Sequence, residues 1–337
     1  MPSISDRLTV IITTSPAPSN PATDLIASVL QSFQQHCAGL TDARVVVVFD
    51  TFARVTSQPR LKKGHASPEL AESYALYKRN IKALILQTYR HEQDGQGQAA
   101  SEKSHAEAEF GFDGRVELLI TRTRSRKITF IEPVARLGFG LAVRSALRVV
   151  ETPYVWVQQH DWALEADIPL EPLLEIMQGS EADDAVPVKY VSFPSVRMKR
   201  YAVSPHVTDH AALRELTTSL KRDFVVRSPS RPERKIVLTP LFFWFDKPHV
   251  ASTAHYLARV FPTPLAMRRG EFIEDKIGQR ARAQMKEGQW AKWATWLYYP
   301  DEGDLLCLRH LMGRTWRGFG GPINVKDGFH IATDDES

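Results

Sequence analysis

The run Gln158-Gln159-His160-Asp161 sets two amides, an imidazole and a carboxylate in consecutive positions directly after the apolar residues 154–157. A carboxylate at the end of a buried strand suits a hard divalent cation such as Mg²⁺ or Mn²⁺, which takes oxygen ligands and commonly holds phosphates through one or two carboxylates. An acidic pair, Glu274-Asp275, lies near the start of a segment with helical patterning. A carboxylate there suits proton abstraction from a hydroxyl within hydrogen-bond reach; its other reading is an acidic first turn that complements the helix dipole. Other polar residues also close apolar runs: Thr13 and Thr14 after 8–12, and Asp50 after the valines of 45–48. Arg136 and Arg144 flank a turn containing Gly138 and Gly140, where either faces an anion or lies solvated.

The elements that would position these groups alternate. "LTVIITTSP" (8–16) predicts a strand, "DLIASVLQSFQQH" (24–36) an amphipathic helix, and "ARVVVVFD" (43–50) a strand covered on both faces, which together make a βαβ unit. "SPELAESYALYKRNIKALILQTYR" (67–90) reads as a capped helix of several turns. Residues 91–109 carry almost no large apolar side chains and predict a mobile surface segment within an insertion spanning about 55–112. Strands are expected near 115–121 and 127–132, a helix after the glycine turn, and a strand over 153–159. Further on, 236–252 reads as a buried strand with a turn after it, and 271–288 as a helix. Such alternation argues for an α/β sheet with its ligands outside the carboxyl ends of the strands, where the residues named above fall.

Composition narrows the class. The 337 residues carry a formal charge of +4, with 43% hydrophobic and 24% charged residues, which is the balance of a globular protein and not that of a nucleic-acid binder with one dominant basic face. The runs 121–127, 197–200 and 231–235 are basic, but such runs are usually solvated faces. Cys37 and Cys307 have no metal-ligand spacing and read as buried thiols in a reducing compartment. A strand pattern so close to Met1 leaves no room for a leader, and nothing approaches the roughly 20 apolar residues of a membrane span, so a cytoplasmic protein is expected. "GQWAKWATWLYYP" (288–300) offers tryptophans that either stack on a sugar or, at helical spacing, pack in the core.

Taken together, the segments "LTVIITTSP", "VVVVFD", "RLGFGLAVRSAL", "VWVQQHD" and "RRGEFIEDKIGQRARAQMKEG" resemble the GT-A fold of nucleotide-sugar glycosyltransferases, most closely the inverting family-2 type, over residues 8 to about 290. The resemblance implies a Rossmann-like mixed sheet flanked by helices in a single large domain over 1–300, with 301–337 folding back toward the site and ending in a flexible acidic stretch. It implies a nucleoside-diphosphate sugar donor, a UDP-sugar first, an acceptor hydroxyl on a glycan or protein, and Mn²⁺ or Mg²⁺ as cofactor. Asp161 then falls at the last residue of a DxD motif as metal ligand, with Gln159 where the family has its first aspartate. Asp50 and Thr13, with Thr14, would hold the nucleoside, Arg136 and Arg144 the phosphates, and Asp275, or Glu274 beside it, would be the base. His310 would be a further metal ligand, as in some GT-A enzymes. A neutral Gln159 brings no charge to the metal. Two rivals stay open: an inactive nucleotide-sugar binder of the same fold, and a sugar nucleotidyltransferase, against which the glycine-free loop "TTSPAPSNP" counts.

Overall fold

The computed structural model describes residues 3–89, 101–181, 183, 186–228 and 231–316. The strands in chain order are β1 (Leu8–Thr14), β2 (Arg44–Phe49), the short pair β3 (Arg54–Val55) and β4 (His65–Ala66), β5 (Ser101–Phe110), β6 (Gly114–Thr123), β7 (Ile128–Pro133), β8 (Tyr154–Gln159) and β9 (Trp162–Leu164). There follow β10 (Tyr190–Ser192), β11 (Arg222–Ser228), β12 (Arg231–Pro240), β13 (His249–Ser252), β14 (Thr295–Tyr298) and β15 (Leu308–His310). Eleven strands form one sheet in the order β11-β12-β14-β10-β13-β8-β1-β2-β7-β6-β5.

The centre, β8-β1-β2-β7, is parallel throughout, and strands on both sides of it pair antiparallel. Parallel strands buried on both faces need unbroken apolar runs, and β1 and β2 supply them: every residue of β1 and the last five of β2 are buried. From β1 the chain steps one way, through the helix Asp24–His36 to β2 and through Pro68–Tyr89 to β7. It then returns through the helix Phe139–Leu147 to β8, on the other side of β1. Because parallel crossovers are right-handed, this reversal puts the last helix on the opposite face and opens a crevice at the carboxyl ends of β1, β2 and β8. The architecture is therefore α/β, a single large domain with a GT-A-like mixed sheet flanked by helices.

Three expectations are corrected. Residues 101–110, taken above as part of a mobile segment, form the edge strand β5, in register with β6 from Ser101–Thr123 to Phe110–Gly114. The strand carries alternating charges because it is an edge, where charged side chains discourage pairing with other chains. Arg115 pairs with Glu107 at 3.2 Å and His105 with Glu117 at 2.7 Å. The segment 91–100 lies outside the described residues. Next, 236–252 is not one strand: the ladder of β12 ends at Pro240, an irregular buried run of aromatic residues follows, and β13 resumes at His249. Finally, the tryptophans of 288–300 are not on one helix. Ala294 at φ 50° ends the short helix Trp290–Trp293, Trp296 lies on β14, and all three indoles are fully buried in the core.

Among the described residues no helix is long and apolar enough to cross a membrane. Cys37 and Cys307 are both free and buried, and burial pushes each thiol up to about 12. The acidic residues 334–336 lie outside the described residues.

Candidate functional site

A cleft of about 820 Å³, counting its open mouth, lies over the carboxyl ends of β1, β2 and β8. Of the residues singled out above, it is lined by Thr13, Thr14, Asp50, Arg136, Gln159 and Asp161, together with His160. Lys62, Phe52, Phe139, Phe272, Gly313 and Arg314 complete much of the wall. Two cations that the sequence reading did not single out, Lys62 and Arg314, thus join Arg136 around two buried carboxylates.

Asp161 is the second residue of the two-residue turn that joins β8 to β9, and its surroundings come from the far end of the chain. β15 pairs antiparallel with β9, which carries His310 alongside Trp162; the two rings stack with centroids 4.7 Å apart. His310 Nε2 lies 3.1 Å from Asp161 Oδ2, the Gly313 N–H donates to the same oxygen at 3.2 Å, and the Leu311 N–H donates to the Asp161 carbonyl at 2.7 Å. Gly313 is required there: a Cβ would lie 2.9 Å from both Cβ and Oδ2 of Asp161. Burial on its own would raise the Asp161 carboxyl, but the bond from His310, the neighbouring imidazoles and the Gly313 N–H hold it at about 2. Its other oxygen, Oδ1, is buried and has no hydrogen-bond partner. His160 turns the opposite way, with Nδ1 2.9 Å from the Thr14 hydroxyl, which in turn lies 2.7 Å from the Tyr77 hydroxyl.

Asp50 uses its carboxylate differently. Oδ1 accepts from the N–H groups of Leu137 (2.6 Å) and Thr51 (3.0 Å), and Oδ2 accepts from Gly138 (2.9 Å). Burial pushes its carboxyl up against the pull of these donors. Three of roughly four lone-pair sites are taken, so about one is left for a ligand donor. The turn so fixed has Gly138 at φ 84°, where a Cβ would stand 2.4 Å from the Gly270 Cα. Gly270 donates to the Leu137 carbonyl at 2.7 Å, and Gly140 to that of Glu271 at 3.1 Å, so the glycines bring the segment before the acidic pair against the cleft.

That acidic pair opens on a π-helical turn, Glu274–Gly278, ahead of the α-helix Gln279–Lys286. Such single π turns often mark functional sites. Glu274 exchanges bonds with Asp246, a residue the sequence reading did not single out: the Asp246 N–H donates to Glu274 Oε2 and the Glu274 N–H to Asp246 Oδ1, each at 3.2 Å. Burial, and then the charge of Glu274, push the Asp246 carboxyl well above its ordinary range. Gln159 joins this pair to the cleft, its amide donating to the Asp246 carbonyl at 2.9 Å. Asp275 is exposed, and neither it nor Glu274 lines the cleft. Arg144, expected to face phosphates, is buried behind the helix and donates to the Glu109 carbonyl of β5 at 2.5 Å. It stands on the helix face turned to the edge hairpin, away from the strand ends.

The orphaned Oδ1 of Asp161 is what a cation would satisfy. His310, beside the same carboxylate, would be the second protein ligand to such an ion. These residues fit a hard cation that takes one carboxylate and one imidazole from the protein and its remaining ligands from phosphate or water. Among the described residues no group of three or more His, Cys, Asp or Glu side chains is placed to hold an ion alone.

No family model and no curated protein matches the chain. Among solved structures it is similar to S. aureus TarS, at 10% identity and a TM-score of 0.43, covering 90% of this chain and 36% of that one. It is also similar to S. aureus TarS 1-349, at 11% and 0.42, covering 90% and 59%. A third likeness is to glucosyl-3-phosphoglycerate synthase from Mycobacterium tuberculosis, in complex with Mn²⁺, UDP-glucose and phosphoglyceric acid, at 12% and 0.36, covering 87% and 69%. The chain thus spans less than two thirds of the length of the first two. At such identities and TM-scores these likenesses carry no assignment of activity.

Proposed function

We propose that this protein is a glycosyltransferase that moves a sugar from a nucleoside-diphosphate donor to an acceptor hydroxyl. The observation that carries the reading is the cleft at the strand ends, where a buried, ionised Asp161 with an unsatisfied oxygen shares one wall system with Lys62, Arg136 and Arg314. A nucleoside diphosphate has the size, the charge and the polar face for such a site. Thr13, Thr14 and the remaining acceptor capacity of Asp50 hold the nucleoside, and Gln159 reaches the ribose side. Asp161 and His310 would hold Mn²⁺ or Mg²⁺, which when bound helps to neutralise the departing diphosphate.

In the inverting reaction the acceptor oxygen attacks the anomeric carbon as the bond from that carbon to the phosphate oxygen breaks. The electron pair leaves with the nucleoside diphosphate, and the hydroxyl proton passes to a carboxylate. Asp275, exposed at the π turn, is the proposed base, and Glu274, tied to Asp246, holds that turn in place. Lys62, Arg136 and Arg314 set positive charge around the leaving group before it forms, so little reorganisation is needed during transfer.

The test is thermal stabilisation by a panel of nucleoside diphosphates, UDP first, with and without Mn²⁺, on the native protein and on Asp161→Ala, followed by donor turnover. Ligand that binds only the folded state raises the melting temperature. Stabilisation that requires both Mn²⁺ and Asp161, with sugar released or transferred, is expected. Stabilisation without turnover would instead support an inactive binder, the reading that Gln159 favours, since its neutral amide is already committed to Asp246.

A further inference from the structure

Lys247 follows Asp246 directly and sits between the two chemical groupings of the site. Its ammonium donates to the buried Ser195 hydroxyl at 2.9 Å, stands 4.6 Å from the Phe245 ring centroid and lies 6.0 Å from that of Trp162. Trp162 is the residue after Asp161 and carries the stacked ring of His310 on its plane. On the other side, the negative charge of Glu274 favours the ammonium, while burial, the larger influence, and the charge of Arg197 oppose it, leaving its pKa at about 8. Lys247 makes no ion pair with any described residue. Its ammonium has three donors, of which the Ser195 hydroxyl takes one, and no carboxylate of the described residues lies within ion-pair distance, so donor capacity is left for an anion. Packing alone does not call for it, because a methionine would fill the same space between Phe245 and Trp162.

We propose that Lys247, with the Trp162 ring beside it, binds a carboxylate or phosphate on the acceptor, whose hydroxyl is thereby presented to the Glu274-Asp275 turn. The inference rests on the transferase reading above and narrows the acceptor to an anionic molecule. The aromatic ring offers an apolar face to the body of such an acceptor, the ammonium fixes its charged end, and Ser195 holds the ammonium in place. Arg197, exposed nearby, adds to the positive potential that draws an anion in.

The experiment measures binding to the UDP- and Mn²⁺-loaded protein of three probes: methyl glucoside, methyl glucuronide and glucose 6-phosphate. These are neutral, carboxylate and phosphate forms of one ring. The native protein is expected to bind at least one acidic probe about tenfold or more tightly than the neutral one, the range of one charge-assisted hydrogen bond. Lys247→Gln should erase that preference, Lys247→Arg should keep most of it, and UDP affinity should stay within about twofold in both. The ratio of the two acidic probes distinguishes carboxylate from phosphate as the favoured group. A native preference below twofold, or one that survives Lys247→Gln, overturns the proposal. Should Lys247→Gln not fold, Lys247→Met, which fills the same space, takes its place with the same loss expected. If UDP fails to bind, the transferase reading falls by itself, and the same probes on the nucleotide-free protein still decide whether Lys247 holds an anion.

Discussion

Asp50 and Asp161 stand at the ends of strands that flank β1 on either side, each buried, each after an apolar run, and each lining the same cleft. Their surroundings differ in kind. Asp50 is met by three main-chain N–H groups, one from the adjacent Thr51 and two from the Leu137-Gly138 turn after β7, and burial outweighs them in pushing its carboxyl up. Asp161 is met by an imidazole and an N–H from about 150 residues further along the chain, keeps one oxygen unpaired and is held ionised. One sequence signal thus yields a carboxylate with both oxygens bonded to a turn and another with a whole oxygen unpaired. The number of donors is not what separates them; an unsatisfied oxygen is.

If that contrast is correct, substitutions at the two positions should fail in different ways. Asp161→Asn should lower kcat/KM for donor consumption by about 10²–10³-fold, an effect larger than its cost in stability from losing the charge that His310 and Gly313 meet. A steady-state assay that returned near-native rates would remove Asp161 from the chemistry. Asp50→Ala should act mainly on stability, leaving the Leu137 and Gly138 N–H groups unpaired in a buried turn at a cost of about 2–3 kcal/mol, read by denaturant titration, and should affect donor turnover through KM more than kcat. Loss of activity without loss of stability there would make the two aspartates equivalent and the comparison void. Arg314→Gln should cost about tenfold in donor turnover, roughly 1.4 kcal/mol, with its stability unchanged. Addition of Mn²⁺ should not restore the loss, because the guanidinium and the cation act on the leaving group separately.

The smallest effect serves as a control for Asp161. His249 is fully buried, and burial pushes its pKa down to about 3, well below its value of about 6.5 in an unfolded chain. Between those values the unfolded state binds more protons, so stability falls as pH drops and is restored as pH rises. From pH 6 to pH 5 the loss from this residue should be about 1 kcal/mol, equal in the native protein and in Asp161→Asn, whose carboxyl at about 2 does not titrate there. A pH slope that changed with that substitution would mean that the end of β8 contributes to titration in that range.

The parts of this molecule that the sequence revealed are those where one physical demand dominates. β1 and β2 are buried on both faces, so their apolar runs could hardly be read otherwise, and the helix Asp24–His36 shows its buried stripe plainly. β5 escaped because an exposed edge strand has no apolar face to display; only Ala108 of its residues is buried. Asp246 follows an apolar run as Asp50 and Asp161 do, but the run is folded back irregularly, and its link to Glu274 is visible only in three dimensions. Lys62 and Arg314 sit in turns beside Gly64 and Gly313, where sequence gives a turn without giving its direction. Arg144 shows the converse: a basic residue next to a glycine turn, aimed at the far side of its helix.

The close crossing of Gly313 over Asp161 also carries a consequence for the order in which the protein becomes competent during folding. A chain with its central sheet already formed would still present a half-built pocket, open on one side and without the imidazole that tunes its key acid. Only once residues 308–314 have docked does that wall exist, so a state in which the central sheet alone is folded cannot hold the finished pocket.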